Sequence, residues 1–510
     1  MTNFTPGDVS GSQTLTDNDS LYPDLFNELR QSRAASAVVG TTEQCEYYCD
    51  GTDDDAQIQE AIDAVAAEGG GVVYIKKGTY SLSEKISITT DHITLMGEGE
   101  SILDGSSLAA STPIIFNSSD YTNFIGLHFK NGSHYQINQG DYSICRDCIF
   151  ETDGGNIYAV SIRSNSMFIN NKVIGAYDSF GIVPNGSNIV ISGNVFNCQS
   201  SCIELGYEGD NIVISNNNIT AYLGDGGTFS ANYGIWIYSR SGEDTSCKNV
   251  IISNNTIDGD ENTIGIKVSK HTDAEAGHFV GDVLIDGNII NGVSTAIYLE
   301  DVTELGNCER VAINNNLCHV NLRGVVNQGF TGVSVKNNKF YSTNNGTNAY
   351  GVFGTKAIDE VVGNYIYYFE RGIYPGAGCL ILNNTIDTCV YGVRDGGTSV
   401  IIGNKGISLS NRMILSPSGT SVIALNSGYT GNDSATQSVL NVTATKLGVG
   451  VLNPTAFLHL PACTAAAGTA SIKIPPGTVA STPVSGNIES DGTHLYWTDS
   501  GRTRRQLDPA

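Results

Sequence analysis

Residues 49–88 read CDGTDDDAQIQEAIDAVAAEGGGVVYIKKGTYSLSEKISI, and this stretch decides the fold. Apolar residues at Ile58, Ala61, Ile62 and Val65 have the spacing of one helix face, so we predict a helix over residues 56–67. Three consecutive glycines end this helix, and the segments VVYI and SLSEKISI follow as strands. The chain therefore passes from one helix into a succession of short strands.

The acids Asp53, Asp54 and Asp55 stand just before the helix, where carboxylates can cap its first turn and suit its positive end. The stretch DGTDDDAQIQEAIDAVAAEGGGVVYIKKGTY resembles the N-terminal signature of pectate-lyase-superfamily β-helices, and the resemblance extends over residues 49–104. In that family this helix covers the open end of a solenoid, which would otherwise expose a cross-section of core. The resemblance implies that the acids cap the helix and do not catalyse.

A repeat with the pattern apolar-x-apolar-x-x-Asn-x-apolar begins near residue 170, as in IVISGNVF, IVISNNNI and VIISNNTI. A segment of alternating apolar residues that recurs along the chain in this way indicates stacked parallel strands. Asparagine tolerates left-handed turn geometry and can form an amide ladder with the coil above. The anchoring asparagines are Asn171, Asn194, Asn217, Asn255, Asn288, Asn316, Asn338, Asn364, Asn384 and Asn404.

A second strand occurs in each repeat, as in CIEL, GIWI, GIKV and AIYL. We therefore predict an all-β fold, a right-handed parallel β-helix (solenoid) with an N-terminal capping helix and a C-terminal β-rich trimerisation region. The expected domains are an N-terminal attachment segment (1–44), the capped β-helix (45–410) and the C-terminal region (411–510).

The C-terminal segments GVGVLNPTAFLHL and DGTHLYWT resemble the C-terminal modules of phage tail fibres and tailspikes. Strands this short cannot bury a core alone, so intertwining as a homotrimer is expected. The resemblance implies a virion-attached fibre whose N-terminus binds other virion proteins. Such a protein is made in the host cytoplasm and works on the particle surface, and no secretory signal peptide is visible.

The net charge of −25 disfavours binding to nucleic acid, whose backbone is also negative. No apolar run is long enough to insert into a membrane. The 12 cysteines are dispersed along 510 residues, which favours buried reduced thiols over a disulfide scaffold. The single CxxC of Cys145 and Cys148 lacks a partner pair, so we expect neither a metal nor a cofactor.

Aligning the second strands predicts one outward-facing column that is rich in aromatic residues. Its members are Val183, Glu204, Trp236, Lys267, Tyr298, Val326, Phe353, Tyr374 and Arg394. Flat aromatic faces suit the stacking of sugar rings, so this column predicts contact with a host surface glycan. The alternative is that a loop or a neighbouring chain covers it.

The longest coils place charged insertions next to this column, where loops on a rigid scaffold often carry function. The candidate catalytic residues are Glu300, Asp301, Lys267, His271 and Glu204, and the candidate substrate-binding residues are Trp236, Tyr298, Tyr238, Arg240, Phe353 and Tyr374. Glu204 and Glu300 are expected roughly 14 Å apart at about 4.8 Å per coil, too far for a glycosidase pair. A hydrolase would pair one of them with a loop acid, whereas a lyase would use Lys267, His271 or Arg240.

The first functional interpretation is a tailspike-like fibre that recognises host cell-surface polysaccharide, with depolymerisation left open. The second is a non-enzymatic structural fibre or decoration protein of a virion, in which the aromatic column is a subunit contact. The third is a free polysaccharide lyase or hydrolase. An open groove beside residues 230–310 would favour the first interpretation, and a seam between subunits would favour the second.

Overall fold

The computed structural model describes residues 36–132, 135–152, 158–175, 180–206, 209–222, 232–239, 246–270, 279–301, 308–356, 358–415 and 421–428. Near the C-terminus it describes 439–442, 447–449, 458–460, 482, 484–491 and 493–507. The chain divides into two compact units. One contains residues 1–422 and 426–433, and the other contains residues 423–425 and 434–510.

The elements of the N-terminal half, in chain order, are β1 (Ala37–Gly40), β2 (Tyr47–Tyr48), α1 (Asp54–Ala67), β3 (Gly71–Ile75), β4 (Gly78–Ser81), β5 (Ile86–Ile88), β6 (Ile93–Asp104), β7 (Ile115–Asn117), β8 (Asn123–Lys130), β9 (Ile137–Asn138), β10 (Ile144–Arg146), β11 (Ile149–Thr152), β12 (Tyr158–Ile162), β13 (Met167–Ile169), β14 (Lys172–Gly175), β15 (Phe180–Pro184), β16 (Ile189–Ser192), β17 (Val195–Cys198), β18 (Ile203–Leu205), β19 (Gly209–Ser215), β20 (Asn218–Ala221), β21 (Asn232–Ser239), β22 (Cys247–Ser253), β23 (Thr256–Asp258) and β24 (Thr263–Lys270).

The remaining strands are β25 (Val280–Asp286), β26 (Ile289–Asp301), β27 (Cys308–Asn314), β28 (Leu317–Gln328), β29 (Thr331–Lys336), β30 (Lys339–Ser342), β31 (Tyr350–Gly354), β32 (Glu360–Val362), β33 (Tyr365–Tyr367), β34 (Arg371–Tyr374), β35 (Leu380–Leu382), β36 (Thr385–Asp387), β37 (Tyr391–Arg394), β38 (Val400–Ile402), β39 (Lys405–Ile407), β40 (Arg412–Leu415), β41 (Val422–Ala424), β42 (Val439–Val442), β43 (Leu447–Val449), β44 (Leu458–His459), β45 (Ile488–Ser490), β46 (Leu495–Thr498) and β47 (Arg504–Gln506).

Strands of successive coils pair in parallel and form three stacks along the solenoid. The first stack contains the strands before the asparagines, such as β13, β16 and β19, and the second contains those after them, such as β14, β17 and β20. The third stack runs from β5 through β12, β18 and β24 to β40. The predicted right-handed parallel β-helix is confirmed.

The interior is built from inward-facing apolar residues held in register. In the third stack, Ile182, Ile203, Ile235, Ile266 and Ile297 lie at one level of successive coils, and all are fully buried. Alternation of inward apolar and outward residues fixes this register, since a one-residue slip would turn the core side chains to solvent.

The predicted asparagine ladder is confirmed. In each step the side-chain Nδ2 and the backbone N–H of one asparagine donate to Oδ1 of the next, as Asn288 does to Asn316 at 3.0 and 2.9 Å. The ladder runs from Asn171 through Asn404 and continues to Asn426, beyond the repeats recognised in the sequence. All of these asparagines are buried, so the ladder satisfies polar groups inside the turn.

The left-handed geometry expected of the anchoring asparagines belongs instead to the residue before them. Asn170, Asn254 and Asn383 have φ of 54°, 54° and 53°, and Gly193 has φ of 69°. The first residue of each turn therefore provides the left-handed backbone, and the second provides the ladder amide. The ladder side chain must be buried and the corner needs a left-handed backbone, so two different residues fill these two roles.

Helix α1 begins at Asp54 and packs Ile58, Ile62 and Val65 into the interior, as expected for a cap. The acids do not cap it in the predicted manner. Asp53 occupies the N-cap position with φ 50° and forms no side-chain cap hydrogen bond. Asp54 accepts hydrogen bonds from the N–H groups of Gly51 and Ser81 at 2.9 and 2.8 Å.

Asp55 accepts a hydrogen bond from the Ser83 N–H at 2.8 Å, and the Gln59 carboxamide bonds both the N–H and the carbonyl of Ser87. The side chains of the first turns therefore fasten the helix to the edge of the first complete coil. These side chains therefore bond to the backbone of the solenoid and not to the first turn of the helix itself.

The described cysteines are all buried, as the prediction of buried thiols expects, and Cys463 lies outside the described residues. Cys145 and Cys148 point into the solenoid, where the Cys148 thiol donates to the Phe124 carbonyl at 3.5 Å. No group of three or more metal-ligating side chains exists in the described ranges.

In the C-terminal unit, β45, β46 and β47 form a three-stranded antiparallel sheet with Ile488 opposite Trp497 and Trp497 opposite Arg505. Ile488 and Trp497 are both exposed on this sheet. Among the described elements, no helix has the length and apolarity needed to cross a membrane.

Candidate functional site

The outward column predicted from the sequence is present in the third stack. Glu204 pairs with Trp236, Trp236 with Lys267, and Lys267 with Tyr298 in consecutive coils. The column continues through Val326, Phe353, Tyr374 and Arg394. Side chains from distant parts of the sequence thus lie side by side, about 4.8 Å apart along the solenoid.

A second outward column, which the sequence analysis did not align, lies two residues further along the same strands. Its members are Tyr238, Ser269, Glu300 and Gln328, in register across four coils. Residues two positions apart in a strand lie on the same face, so extending the segments GIWI and GIKV by two residues would have revealed this column. We call the following residues the central patch: Trp236, Lys267 and Tyr298 of the first column, and Tyr238, Ser269, Glu300 and Gln328 of the second.

Lys267 is the centre of the central patch. Its Nζ lies 2.8 Å from Oε2 of Glu300, and the two side chains are only 12% and 22% exposed. The same ammonium lies 5.1 Å from the ring centroid of Tyr233 and 5.5 Å from those of Trp236 and Tyr298. Aromatic faces attract a cation, so three rings and one carboxylate hold the Lys267 side chain in place.

Hydrogen bonds fix the rings of the central patch. The Trp236 indole N–H donates to Ser269 Oγ at 2.9 Å. The Tyr298 hydroxyl lies 3.0 Å from Glu300 Oε1 and 2.6 Å from Gln328 Oε1, and it donates its one proton to one of these oxygens at a time. Burial, followed by the negative charge of Glu300, raises the pKa of Tyr298, so its phenol stays neutral.

Glu204, predicted as a groove acid, is only 6% exposed. The Tyr238 hydroxyl donates to its Oε1 at 2.8 Å, and the Tyr158 hydroxyl lies 3.4 Å from its Oε2. The Tyr238 ring in turn stacks on Trp236 with centroids 4.2 Å apart. Glu204 therefore acts beneath the aromatic surface, where its charge orients Tyr238.

Asp301 is also buried, at the end of β26, in register with the fully buried Lys270. Burial, and then the negative charge of Asp301, raises the pKa of the adjacent Cys308 thiol to about 12, and Lys270 opposes the shift. Asp301 therefore belongs to a buried charged cluster. Arg240 and His271, the other predicted loop residues, lie outside the described residues.

Phe353 and Tyr374 form a second patch further along the column, separated from Tyr298 by the fully buried Val326. Their rings meet edge to face with centroids 5.5 Å apart. The guanidinium of Arg394 lies 4.2 Å from the Tyr374 centroid. We call this the distal patch. The sequence analysis had placed Phe353, Tyr374 and Arg394 in the aligned column.

The distal patch also contains residues that the sequence analysis missed. Arg371 lies over Tyr374 at 5.6 Å and over Tyr350 at 5.4 Å, and it donates to the Tyr350 hydroxyl at 3.1 Å. The Tyr350 ring stacks on Phe353 at 4.7 Å. Both missed residues lie three positions before the aligned column, at the strand starts.

The two patches share one chemical character. Rigid aromatic faces alternate with charged groups that already contact a carboxylate or a ring, and the rings are held by hydrogen bonds or stacking. Such a surface can bind the apolar face of a sugar ring while its charged and amide groups engage the hydroxyls. Glu300, Lys267 and the phenol of Tyr298 are groups of the central patch able to transfer a proton.

The fold and this outward face define the class. The chain is a right-handed parallel β-helix with aromatic and charged patches along one stack. No family model matches it.

Solved structures share this fold. A variant of the tailspike protein of E. coli bacteriophage HK620 is 13% identical, with a TM-score of 0.54, over 82% of this chain and 86% of that chain. The same tailspike in complex with pentasaccharide is 14% identical, with a TM-score of 0.51, over 82% and 81%. At this identity the likeness establishes the fold.

One curated relative aligns with part of the chain. The probable pectinesterase/pectinesterase inhibitor 17 of Arabidopsis thaliana is 29% identical over 163 residues, which is 29% of this chain. The chain therefore spans about a third of that relative's length, since the alignment covers 30% of it.

Proposed function

We propose that the chain is a tailspike-like fibre that binds a host cell-surface polysaccharide along the third stack. The central patch carries this proposal, because three aromatic rings surround the Lys267–Glu300 pair on an outward face. The likeness in fold to a tailspike solved with a pentasaccharide supports the choice of ligand class.

Binding is the function that this geometry supports best. Glycosidases need two carboxyl groups roughly 5–9.5 Å apart that reach the substrate. Of the predicted acids that are described, Glu204 and Asp301 are each 6% exposed, and only Glu300 lies at the accessible surface. The rings of the central patch, in contrast, are already held in place, so binding a sugar costs little further side-chain conformational entropy.

The test is binding of the purified full-length protein to an array of bacterial lipopolysaccharides and capsular polysaccharides. The Trp236→Ala variant should lose about tenfold in affinity, equal to ~1.4 kcal/mol. A matched control is Tyr341→Ala, which removes a ring from the His319 stack on the second stack of strands. Equal affinity of Trp236→Ala and the parent for every bound glycan would reject the central patch.

Cleavage of the bound polysaccharide is a second candidate function, motivated by Glu300 beside Lys267 and the neutral phenol of Tyr298. In this case Glu300 is the acid or base, and Glu300→Gln should stop turnover while binding remains. Unsaturated sugar ends would indicate a lyase, and new reducing ends alone a hydrolase. If the polysaccharide stays intact after prolonged incubation with the parent, cleavage is rejected and the non-enzymatic fibre remains as the interpretation.

The virion surface is the proposed location, with residues 1–44 attaching the fibre to other virion proteins. The fold likeness to a bacteriophage tailspike supports this location. Co-sedimentation of the protein with purified particles, and its loss when residues 1–44 are deleted, would test it. A protein found only free in the lysate would favour a free polysaccharide-active enzyme.

A homotrimer is the proposed assembly, and one face of the first stack supports self-association. Seven consecutive coils place an apolar residue outward there: Ile144, Met167, Val190, Val213, Ile251, Leu284 and Ala312. At the adjacent position the four middle coils carry the uncharged Ile169, Ser192, Ser215 and Ser253, and the charged Arg146 and Asp286 flank them. In a chain of net charge −25, an uncharged strip is where identical copies repel least.

Light scattering on the purified chain tests this assembly. The parent should have the mass of three chains, and Val213→Lys should reduce it to one. Val195→Lys is the matched control, because Val195 is 42% exposed on the second stack. A monomeric parent would contradict the trimer, and a trimeric Val213→Lys variant would contradict this choice of face.

A further inference from the structure

A depression lies at the N-terminal end of the third stack, on the same face as the central patch. Phe116 and Asn138 provide its strand positions, and Asp120, Asp141 and Arg163 provide its corner. Phe116 is five coils before Trp236, roughly 24 Å at about 4.8 Å per coil. Ser161, Val183 and Glu204, all nearly buried, separate the two places.

Gly140 lines the hollow at a point where only glycine fits. A Cβ built on Gly140 would lie 1.8 Å from the Ser119 carbonyl oxygen, so no other residue fits there. The backbones of two coils approach closely at this point. The hollow is therefore part of the coil geometry and does not depend on a movable loop.

Polar groups without partners border the hollow. The Asn117 and Gln139 side chains are 4% and 1% exposed, yet Asn117 Nδ2 and Gln139 Oε1 have no hydrogen-bond partner in the described part of the chain. Asn117 Nδ2 lies 3.0 Å from the position of that Gly140 Cβ. Unpaired buried donors and acceptors are uncommon, and a bound polar molecule is one way of satisfying them.

The charged groups of the hollow remain available. Asp120 Oδ1 accepts from the Asp141 N–H at 3.3 Å, and Asp141 Oδ1 accepts from the Ser164 N–H at 3.1 Å. Each carboxylate keeps its other oxygen free of any described partner. Arg163 is exposed and forms no ion pair with the described residues. Acceptors and a donor thus surround one small space.

Phe116 supplies an apolar wall. Its side chain is 40% exposed, and Lys85 Nζ lies 5.1 Å from the ring centroid, which holds the ring in place. An exposed aromatic face beside carboxylates, an amide and a guanidinium matches a sugar ring, whose C–H face is apolar and whose hydroxyls both donate and accept. The two carboxylates disfavour a phosphate, and Arg163 disfavours a metal cation.

We propose that this hollow is a second carbohydrate site, which takes one hydroxylated sugar ring stacked on Phe116. The ligand class rests on the proposed function, but the site is independent of the central patch. Two sites on one rigid face, about 24 Å apart, can hold one polysaccharide chain at two points. The second contact raises the effective concentration of the first and slows release.

The test uses the full-length protein with the same lipopolysaccharide and capsular polysaccharide array, and with glucose, galactose, mannose and N-acetylglucosamine in saturation-transfer NMR. The variants are Phe116→Ala and Arg163→Gln, each alone and combined with Trp236→Ala. Tyr341→Ala again serves as the matched control. Thermal melting verifies that every variant is folded.

Trp236→Ala should retain weak glycan binding, and adding Phe116→Ala should abolish it. Phe116→Ala alone should weaken polysaccharide binding several-fold and remove saturation transfer to one of the monosaccharides. If Trp236→Ala abolishes binding and Phe116→Ala changes nothing, the second site is wrong and the proposed function stands. If only the Phe116 and Arg163 variants lose binding, the central patch is wrong and the second site stands. A parent that binds no sugar overturns both.

Discussion

The Nζ of Lys267 lies 2.8 Å from Oε2 of Glu300, on adjacent coils, and both side chains are largely withdrawn from water. An ion pair in this position interacts more strongly than one on the open surface, because water screens it less. It sets the charge of the central patch to zero while leaving the rings around it accessible.

A double-mutant cycle with Lys267→Met and Glu300→Gln should give a coupling free energy of about 1–2 kcal/mol. The measurement is chemical denaturation of the two single variants and the double variant. Lys248 and Asp210, 3.5 Å apart and more exposed, are the matched control and should couple by less than about 1 kcal/mol. Equal coupling in both pairs would show that partial burial has no effect here.

Loss of one ladder amide should cost much more than loss of an exposed one. Asn288→Ala leaves the N–H of Asn255 without an acceptor, removes one of the two acceptors of its Nδ2, and should lower the free energy of unfolding by about 3 kcal/mol. Asn188→Gly is the control, since Asn188 has φ 58° on an exposed corner and glycine accepts that backbone. A similar cost for both would contradict the role of the buried ladder.

The acids at α1 should differ from one another. Asp54→Ala removes the acceptor of the Gly51 and Ser81 N–H groups and should cost about 2–3 kcal/mol. Asp53→Asn should change stability by less than about 0.5 kcal/mol, because Asp53 makes no cap bond and asparagine tolerates its left-handed φ. Thermal melting of both variants checks this order, and glycan binding should be unchanged in each.

Alkaline stability should depend on Tyr298. Its folded pKa is raised above the ordinary value of 10.0, so its contribution is complete below pH 10 and is lost as the pH rises from there through the folded pKa. Tyr298→Phe should therefore flatten the fall of unfolding free energy above pH 10. Tyr142→Phe, at an exposed position, should leave the slope as it is in the parent. Identical slopes in all three proteins would contradict the raised pKa.

Cys45 should react with iodoacetamide before its neighbour Cys49. Burial raises the pKa of Cys45, but hydrogen bonds with Thr42 and the charge of Lys76 outweigh it, and the net shift is downward. Burial raises the pKa of Cys49 to about 12. The thiolate is the reactive form, so peptide mass spectrometry near pH 8, about the ordinary thiol pKa, should find Cys45 labelled first. Thr42→Val should slow that labelling, and faster labelling of Cys49 would reverse the prediction.

The solenoid could be predicted because its signals are local and repeated. The period of two in each strand placed Trp236, Lys267 and Tyr298 in one column, and the recurrent asparagine marked the corner of each coil. The exchange of roles within the corner was not predictable from one anchoring residue. It became visible only where the left-handed φ of Asn254 and the buried amide of Asn255 are compared.

Parts of the site depended on contacts between coils that no spacing reveals. Glu204 is buried because Tyr158 and Tyr238, from different coils, reach it with their hydroxyls. The partners of Asp54 likewise depend on how α1 lies against the first coil. The hollow at Gly140 escaped detection since it precedes the first recognised asparagine repeat, where the column had not been extended back to Phe116.

The asparagine ladder has a direction. At each step the donor lies in the earlier coil and the acceptor in the later one, from Asn171 to Asn426. The carboxamide dipoles therefore point the same way and add along the axis, as peptide dipoles do in a helix, with the positive end toward the C-terminus. Aligned hydrogen bonds also polarise one another, so each amide strengthens the next. The solenoid is thus electrically polar as well as geometrically repetitive, and turning one amide around would break its bonds to both neighbours.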